Sequence, residues 1–312
     1  MKIFNNLSIP KNLKGNAIAI GNFDGVHKGH QKVFKEAKKY SIKNKIKFGV
    51  MTFNPLPIMF FNKNITNYKI ILQNQKFKLF EKYGVDFVVN VKFNKKFSKI
   101  TAKKFIHNII YKKINPRLIF VSNNFKFGNK RKGNVNLLIK FSKNYNYKLK
   151  KINPYKYKNK TISSTRIRKS LQSGYLDQAN KLLSRSWFIE GAVKKGKKLG
   201  RKLGYRTCNM DIKDYVIPKA GIYAVKVLID SKNKIFNGVS YLGSRPTFGG
   251  KKIFLETNIF GIKGNLYKKK LRVFFLKFIR DDKKFKNKEA LKKQMNKDVI
   301  SAKKGLKAKF KI

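Results

Sequence analysis

Short apolar runs alternate with amphipathic stretches through the first half of the chain. Ala17 to Ile20 is an apolar run ending at Gly21, the pattern of a buried strand that leaves for a loop. Val33, Phe34, Ala37 and Tyr40 then recur at helical spacing. Phe48 to Phe53 reads as a second strand closed by Asn54-Pro55, Phe77 to Tyr83 as a helix, and Asp86 to Val91 as a third strand. A helix over Ala102 to Tyr111 follows, then a strand at Leu118 to Val121 after Asn115-Pro116. Strands alternating with helices predict an α/β domain on a parallel sheet, whose ligands sit on loops at the carboxyl ends of the strands.

The texture changes near Trp187. Trp187 to Val193, Ile222 to Ile229, Ile235 to Tyr241, Ile253 to Ile259 and Leu271 to Ile279 are strand-like and separated by Gly, Asn or Lys clusters. Short strands without intervening helices predict an antiparallel barrel or sandwich. The chain closes on an amphipathic helix with Leu291, Met295, Val299 and Ala302 on one face. The expected boundary follows the helical stretch Tyr175 to Leu183, giving domains over 1–184 and 185–312.

Charge complicates this picture before it helps. The 312 residues carry 76 Lys plus Arg against 14 Asp plus Glu, a net charge of +62, which on its face suggests a nucleic-acid or anionic-membrane partner. Only ten of the cations are Arg, however, and Asn numbers 32. Lys, Asn, Ile and Phe all have A/T-rich codons, so coding bias produces this background whatever the protein does. Lys is therefore read as background, and Arg, Asp, Glu, His and Gly as signal. Lysines spread along the chain argue against a specific nucleic-acid partner, which is kept as the rival from a different class. One cysteine, Cys208, excludes an internal disulfide and a Cys-based metal site. With no signal-like stretch in MKIFNNLSIPKN and no membrane-length apolar run, the expectation is a cytoplasmic protein without a membrane partner, and a monomer.

Two segments concentrate the scarce residues. GNFDGVHKGH at 21–30 follows a strand and precedes a helix, and holds two of the three histidines. Its glycines let the backbone approach a ligand, while the helix start offers unpaired N–H groups to an anion. His27 and His30 are three apart on one helix turn, placed to donate to phosphate oxygens in a phosphoryl or nucleotidyl transfer. ISSTRIRKSL at 162–171 adds three hydroxyls and two of the ten arginines before a helix. Hydroxyls there are also ordinary caps, but the arginines favour a phosphate clamp. In the second half, GAVKKGKKLGRKLGYRTCNM at 191–210 is Gly-rich and basic without Gly-Lys-Ser/Thr, so it is no Walker loop. Glu256 is the lone carboxylate between Asp230 and Asp281.

These segments, with TFNPLP at 52–57, FKFGNKRKG at 125–133, GVSYLGSRPTF at 238–248, FLETNIF at 254–260 and FIRDDKKF at 278–285, resemble bacterial bifunctional riboflavin kinase/FAD synthetases over about residues 14–305. The resemblance implies a Rossmann-like nucleotidyltransferase domain followed by a riboflavin kinase-like barrel that ends in a helix. It implies that riboflavin and ATP give FMN, and that FMN and a second ATP give FAD and pyrophosphate, with Mg²⁺ assisting. For the adenylyl transfer it implies ATP over Gly21, Asn22, Phe23, Asp24 and Gly29, catalysis by His27 and His30, and phosphate contacts from Ser164, Thr165 and Arg168. For the kinase it implies Glu256 as the general base, ATP on Gly196, Gly200, Arg201, Thr207 and Asn209, and Mg²⁺ on Thr207 and Asn209. Asn124 and Arg280 are the implied flavin contacts.

The pattern has departures. Asn54 stands where the family usually has an acidic residue, Ser122-Asn123-Asn124 where it commonly has Gly-Asp-Asp or similar, Arg206 replaces a proline, and Cys208 replaces an alanine. Cys208 is read as a small apolar exchange and not as a nucleophile. An enzyme retaining only the kinase activity is the alternative within the class.

Overall fold

Continuous apolar runs such as Ala17 to Ile20 are buried on both faces, as strands of a parallel sheet covered on both sides must be. The computed structural model describes residues 1–196, 200, 203–244, 253–262 and 264–307. They form two compact units, Met1–Thr66 with Ile71–Ser163, and Asn67–Ile70 with the chain from Ser164 onward.

The first unit carries one sheet of β1 (Lys2–Phe4), β2 (Ala17–Ile20), β3 (Phe48–Asn54), β4 (Phe87–Lys92), β5 (Leu118–Ser122) and β6 (Lys148–Ile152), in the order β1-β4-β3-β2-β5-β6. Every pairing is parallel, as the alternation predicted. Helices α1 (Lys28–Lys43), α2 (Gln73–Lys82) and α3 (Val135–Ser142) connect the strands. The helix predicted from Ala102 is α-helical only to Lys104 and continues as a π-helix over Phe105–Ile114. Its buried residues, Phe105, Ile106, Ile109, Ile110 and Ile114, recur at four to five positions, which the wider turn sets on one face. They pack with Ile18, Ile20, Met51, Phe53, Val89 and Val121 of the sheet.

The second unit begins with α4 (Ser164–Gln172) and α5 (Leu176–Leu183). Strands β7 (Phe188–Lys194), β8 (Cys208–Asp211), β9 (Gly221–Ile229), β10 (Lys234–Ser244), β11 (Ile253–Ile259) and β12 (Lys270–Arg280) close a barrel in the order β7-β8-β11-β10-β9-β12. All its pairings are antiparallel. Leu255, Thr257 and Ile259 of β11 point inward, and the Thr257 hydroxyl meets that of Ser240 at 2.8 Å inside. The alternate residues Phe254, Glu256 and Asn258 are therefore turned to the outer face.

The predicted C-terminal helix is α6 (Lys288–Gly305), capped by the Asn287 side chain, with Ala302 and Leu306 packed on Ala224, Phe274 and Leu276. Asn180 of α5 donates to the Phe275 carbonyl and accepts from the Trp187 amide, fastening this helix to the barrel. Residues 67–70 join the same unit as a short strap, with Lys69 bridged in parallel to Tyr215. No helix among the described residues is long and apolar enough to cross a membrane.

Candidate active sites, one in each unit

The loop between β2 and α1 is held in a backbone shape that few sequences tolerate. Phe23, Gly25 and Val26 all have positive φ, at 49°, 81° and 40°. The turn is secured from beneath: Phe23 and Asp24 are buried, the Thr52 hydroxyl donates to the Asn22 carbonyl, and Gln31 donates to that of Val26. Lys76 of α2, buried as well, donates to Thr52 at 3.0 Å.

On this base the two histidines stack, with ring centroids 3.6 Å apart and planes 20° from parallel. His27 is the N-cap of α1, and its Nδ1 accepts from the His30 amide. A Cβ on Gly29 would lie 3.1 Å from the His27 ring, so glycine there lets the imidazole fold over the helix start. His30 Nδ1 is buried and has no protein partner. Burial first, then the charges of His27 and Lys76, hold the His30 imidazole well below its ordinary 6.5. It is neutral at physiological pH, and donates from one nitrogen only.

Ser164 and Thr165 open α4, and Arg168 lies one turn on, almost wholly buried. Asn124 follows β5 and accepts from the Ser122 hydroxyl, while Asn123 donates to Asn153. Beyond the carboxyl ends of β3 and β4, Phe53, Phe60, Phe61, Phe93 and Phe97 form a continuous aromatic cluster, with Phe61 68% exposed. Neither this cluster nor Lys76 stood out in the sequence, because Phe and Lys were set aside as compositional background. Position offered a signal: Lys76 and Phe80 are one helix turn apart, so a lysine shares the apolar stripe of α2.

In the barrel, strand register does the assembling. Asn209 of β8 and Tyr241 of β10 both lie directly opposite Glu256 of β11. Thr207 sits just before β8, on the face that alternation assigns to Asn209. The turn that leads into β8 is pinned by Asn258, which donates to the Arg206 carbonyl at 2.7 Å. A cavity of about 340 Å³ adjoins it, lined by Val193, Thr207, Cys208, Ile259, Leu266 and Tyr267 among others. Burial pushes the Cys208 thiol up to about 11, so it is a poor nucleophile at neutral pH.

The glycines of the basic loop have a spatial purpose. A Cβ on Gly196 would fall 2.3 Å from Asn209 Nδ2, and one on Gly200 2.5 Å from the Tyr205 carbonyl. Gly196→Ala should therefore displace the Asn209 amide, a cheap move for folding but a costly one for positioning. The expected result is a fall of about 10²-fold in kcat/KM for riboflavin phosphorylation with an unchanged melting temperature.

Arg280, the residue that the resemblance assigns to the flavin, is bonded to α6. It makes a two-pronged pair with Asp298 at 2.8 and 2.6 Å and donates to the Asp281 carbonyl. Arg201 lies outside the described residues. Among the described residues no three His, Cys, Asp or Glu side chains cluster as a metal site. Thr207 and Asn209 instead offer neutral oxygens, which fit Mg²⁺ bound mainly through substrate phosphates.

Comparison with known proteins matches both units. A family model described as FAD synthetase covers residues 9–166, and one described as riboflavin kinase covers residues 183–306. Curated proteins named bifunctional riboflavin kinase/FMN adenylyltransferase are similar over nearly the whole chain. The one from Buchnera aphidicola subsp. Schizaphis graminum is 39% identical over 97% of this chain and 98% of its own. That of Haemophilus influenzae is 35% identical over 93% and 94%, and that of Escherichia coli K12 is 32% identical over 93% and 92%. A crystal structure from Streptococcus pneumoniae, described as a macrolide-efflux protein, superposes with a TM-score of 0.84 at 27% identity, covering 96% of this chain and 98% of its own.

Proposed function

Since the chain belongs to the bifunctional riboflavin kinase/FMN adenylyltransferase family, we propose a division of labour between the two constellations. The enzyme makes FMN from riboflavin and ATP and FAD from FMN and ATP. Both units are present, so the kinase-only and nucleic-acid-binding alternatives fall. The carrying observation is that each unit holds its own reactive set: the stacked histidines in one, and Glu256 facing Asn209 in the other.

In the barrel, Glu256 takes the proton from the riboflavin 5′-hydroxyl as its oxygen bonds to the γ-phosphorus of ATP and ADP departs. Thr207 and Asn209 would hold Mg²⁺, which would supply charge neutralisation when bound. Gly196, Gly200 and Arg201 wrap the same phosphates, and the adjoining cavity receives the rest of the nucleotide. Arg280 acts on the flavin side only indirectly, by fixing α6 through Asp298.

In the first unit, an FMN phosphate oxygen bonds to the α-phosphorus of ATP and pyrophosphate leaves. The β2–α1 loop from Gly21 through Asp24 to Gly29 lies along the ATP. His27 and His30 donate to its phosphate oxygens as charge moves onto the leaving group. Asn124 and the exposed ring of Phe61 offer a polar and an aromatic contact to the flavin. A monomer suffices for this scheme, and a chain with one thiol suits the reducing cytoplasm.

Pure protein incubated with riboflavin, ATP and Mg²⁺, with flavins separated by chromatography, should accumulate FMN first and FAD later. FMN alone would confine the reading to the kinase, and no phosphorylated flavin at all would sink it.

A further inference from the structure

Among the described residues, Lys76 is the one lysine that the fold buries. Burial strips an ammonium of its water, and the apolar stripe of α2 returns nothing for that loss. The helix nevertheless holds the residue firmly. Gln75 accepts from the Leu72 amide and closes the first turn of α2, and the Lys76 amide donates to the Leu72 carbonyl. From this turn the side chain reaches the wholly buried Thr52 of β3, where Nζ donates to the hydroxyl at 3.0 Å.

Chemistry fixes the direction of that bond. An ammonium has three N–H groups and no lone pair, so the Thr52 oxygen can only accept from it. The single hydroxyl proton must point elsewhere, and it goes to the Asn22 carbonyl at 3.1 Å. A hydroxyl that accepts from a cation is also polarised into a better donor. The carbonyl it grips opens the stretch of positive φ at Phe23, Gly25 and Val26, and the Gln31 bond to the Val26 carbonyl closes it. Backbone in so sparse a region persists only where its surroundings impose it.

We propose that Lys76 is a positioning residue for the adenylyl transfer, acting through Thr52 on the backbone of the β2–α1 loop and through its charge on His30. This rests on the reading of that loop as the ATP-binding segment. His27 stacks on the His30 ring, Phe23 meets it edge-on, and the Lys76 charge acts on it from α2. A positive charge there opposes protonation of the ring, so Lys76 helps to keep His30 a neutral donor.

The test uses the full-length protein with Lys76→Met, Thr52→Val and the two together. Met keeps the reach of the lysine stem without its charge, and Val keeps the shape of Thr without its hydroxyl. Conversion of supplied FMN to FAD is measured over a range of ATP, with riboflavin phosphorylation as an internal control. Lys76→Met should lower kcat/KM for FAD formation about 10²-fold and Thr52→Val about tenfold, with phosphorylation at the parent rate. The double variant should fall no further than Lys76→Met, because both changes break one relay. With three histidines in the chain, the His30 ring can also be titrated singly by NMR. Its protonation should move up towards the ordinary 6.5 in Lys76→Met and stay in place in Thr52→Val, which keeps the ammonium.

A Lys76→Met or Thr52→Val enzyme that makes FAD at the parent rate would overturn the proposal. Losses that multiply in the double variant would do the same, by separating Lys76 from the loop. A His30 titration unmoved by Lys76→Met would also overturn it. So would a joint loss of riboflavin phosphorylation, which would make Lys76 a residue of the core and nothing more. Full FAD formation in His30→Ala is a separate failure: it would remove the underlying reading of the loop, whatever Lys76 does.

Discussion

Glu256→Gln should lower riboflavin phosphorylation by about 10³-fold while conversion of supplied FMN to FAD continues at its full rate. Gln keeps the size and one carbonyl oxygen of Glu but cannot take a proton, so the change isolates the base from the shape of the site. Strand register sets what surrounds this carboxylate. Glu256 faces Asn209 on one neighbour and Tyr241 on the other, and alternation turns it to the outer face of the barrel. The nearby rival is Asp282, whose carboxylate accepts from the Tyr241 hydroxyl at 2.9 Å. If Glu256→Gln keeps most of the rate, Asp282 becomes the base and the assignment of Glu256 is wrong. A loss of both activities would place the effect in folding instead.

The parts legible in the sequence were those where burial or scarcity left a mark. Ala17 to Ile20 and Ile253 to Ile259 were bounded to the residue, because buried or alternating strands cannot hide their pattern. β6, reading KLKKI, gave no such pattern: at an edge of the sheet most of its residues face water and lysine is favoured there. β8 lay concealed in the glycine-rich segment, since its four residues include an asparagine kept for the site. The histidine pair was visible because the chain has three histidines in all. Lys76 was invisible among 66 lysines, and only its burial beneath the loop separates it from the solvated ones. Arg280 illustrates a contact that no pattern announces. Its place in a family segment was legible, but its bond to Asp298 depends on a helix that returns to the barrel from 18 residues further on.

His30→Ala should produce the complementary phenotype to Glu256→Gln: FAD formation falls by about 10²–10³-fold, and riboflavin phosphorylation is untouched. The buried Nδ1 without a protein partner and the neutral state of the ring also give this residue a signature in stability. In the unfolded chain His30 takes up a proton near the ordinary value of 6.5, whereas in the folded chain burial, His27 and Lys76 prevent it. Below that pH the unfolded state binds more protons, so its share of stability declines as pH falls from 6.5 towards the depressed folded value. Above 6.5 both states are neutral and the contribution is flat. Urea titrations at a series of pH values should therefore show a shallower acid-side loss in His30→Ala than in the parent. A variant that keeps FAD formation within about threefold, or that loses riboflavin phosphorylation as well, would remove His30 from the adenylyl transfer. An unchanged acid-side slope would show that the ring takes its proton in the folded state, and that it reaches the phosphates as a cation.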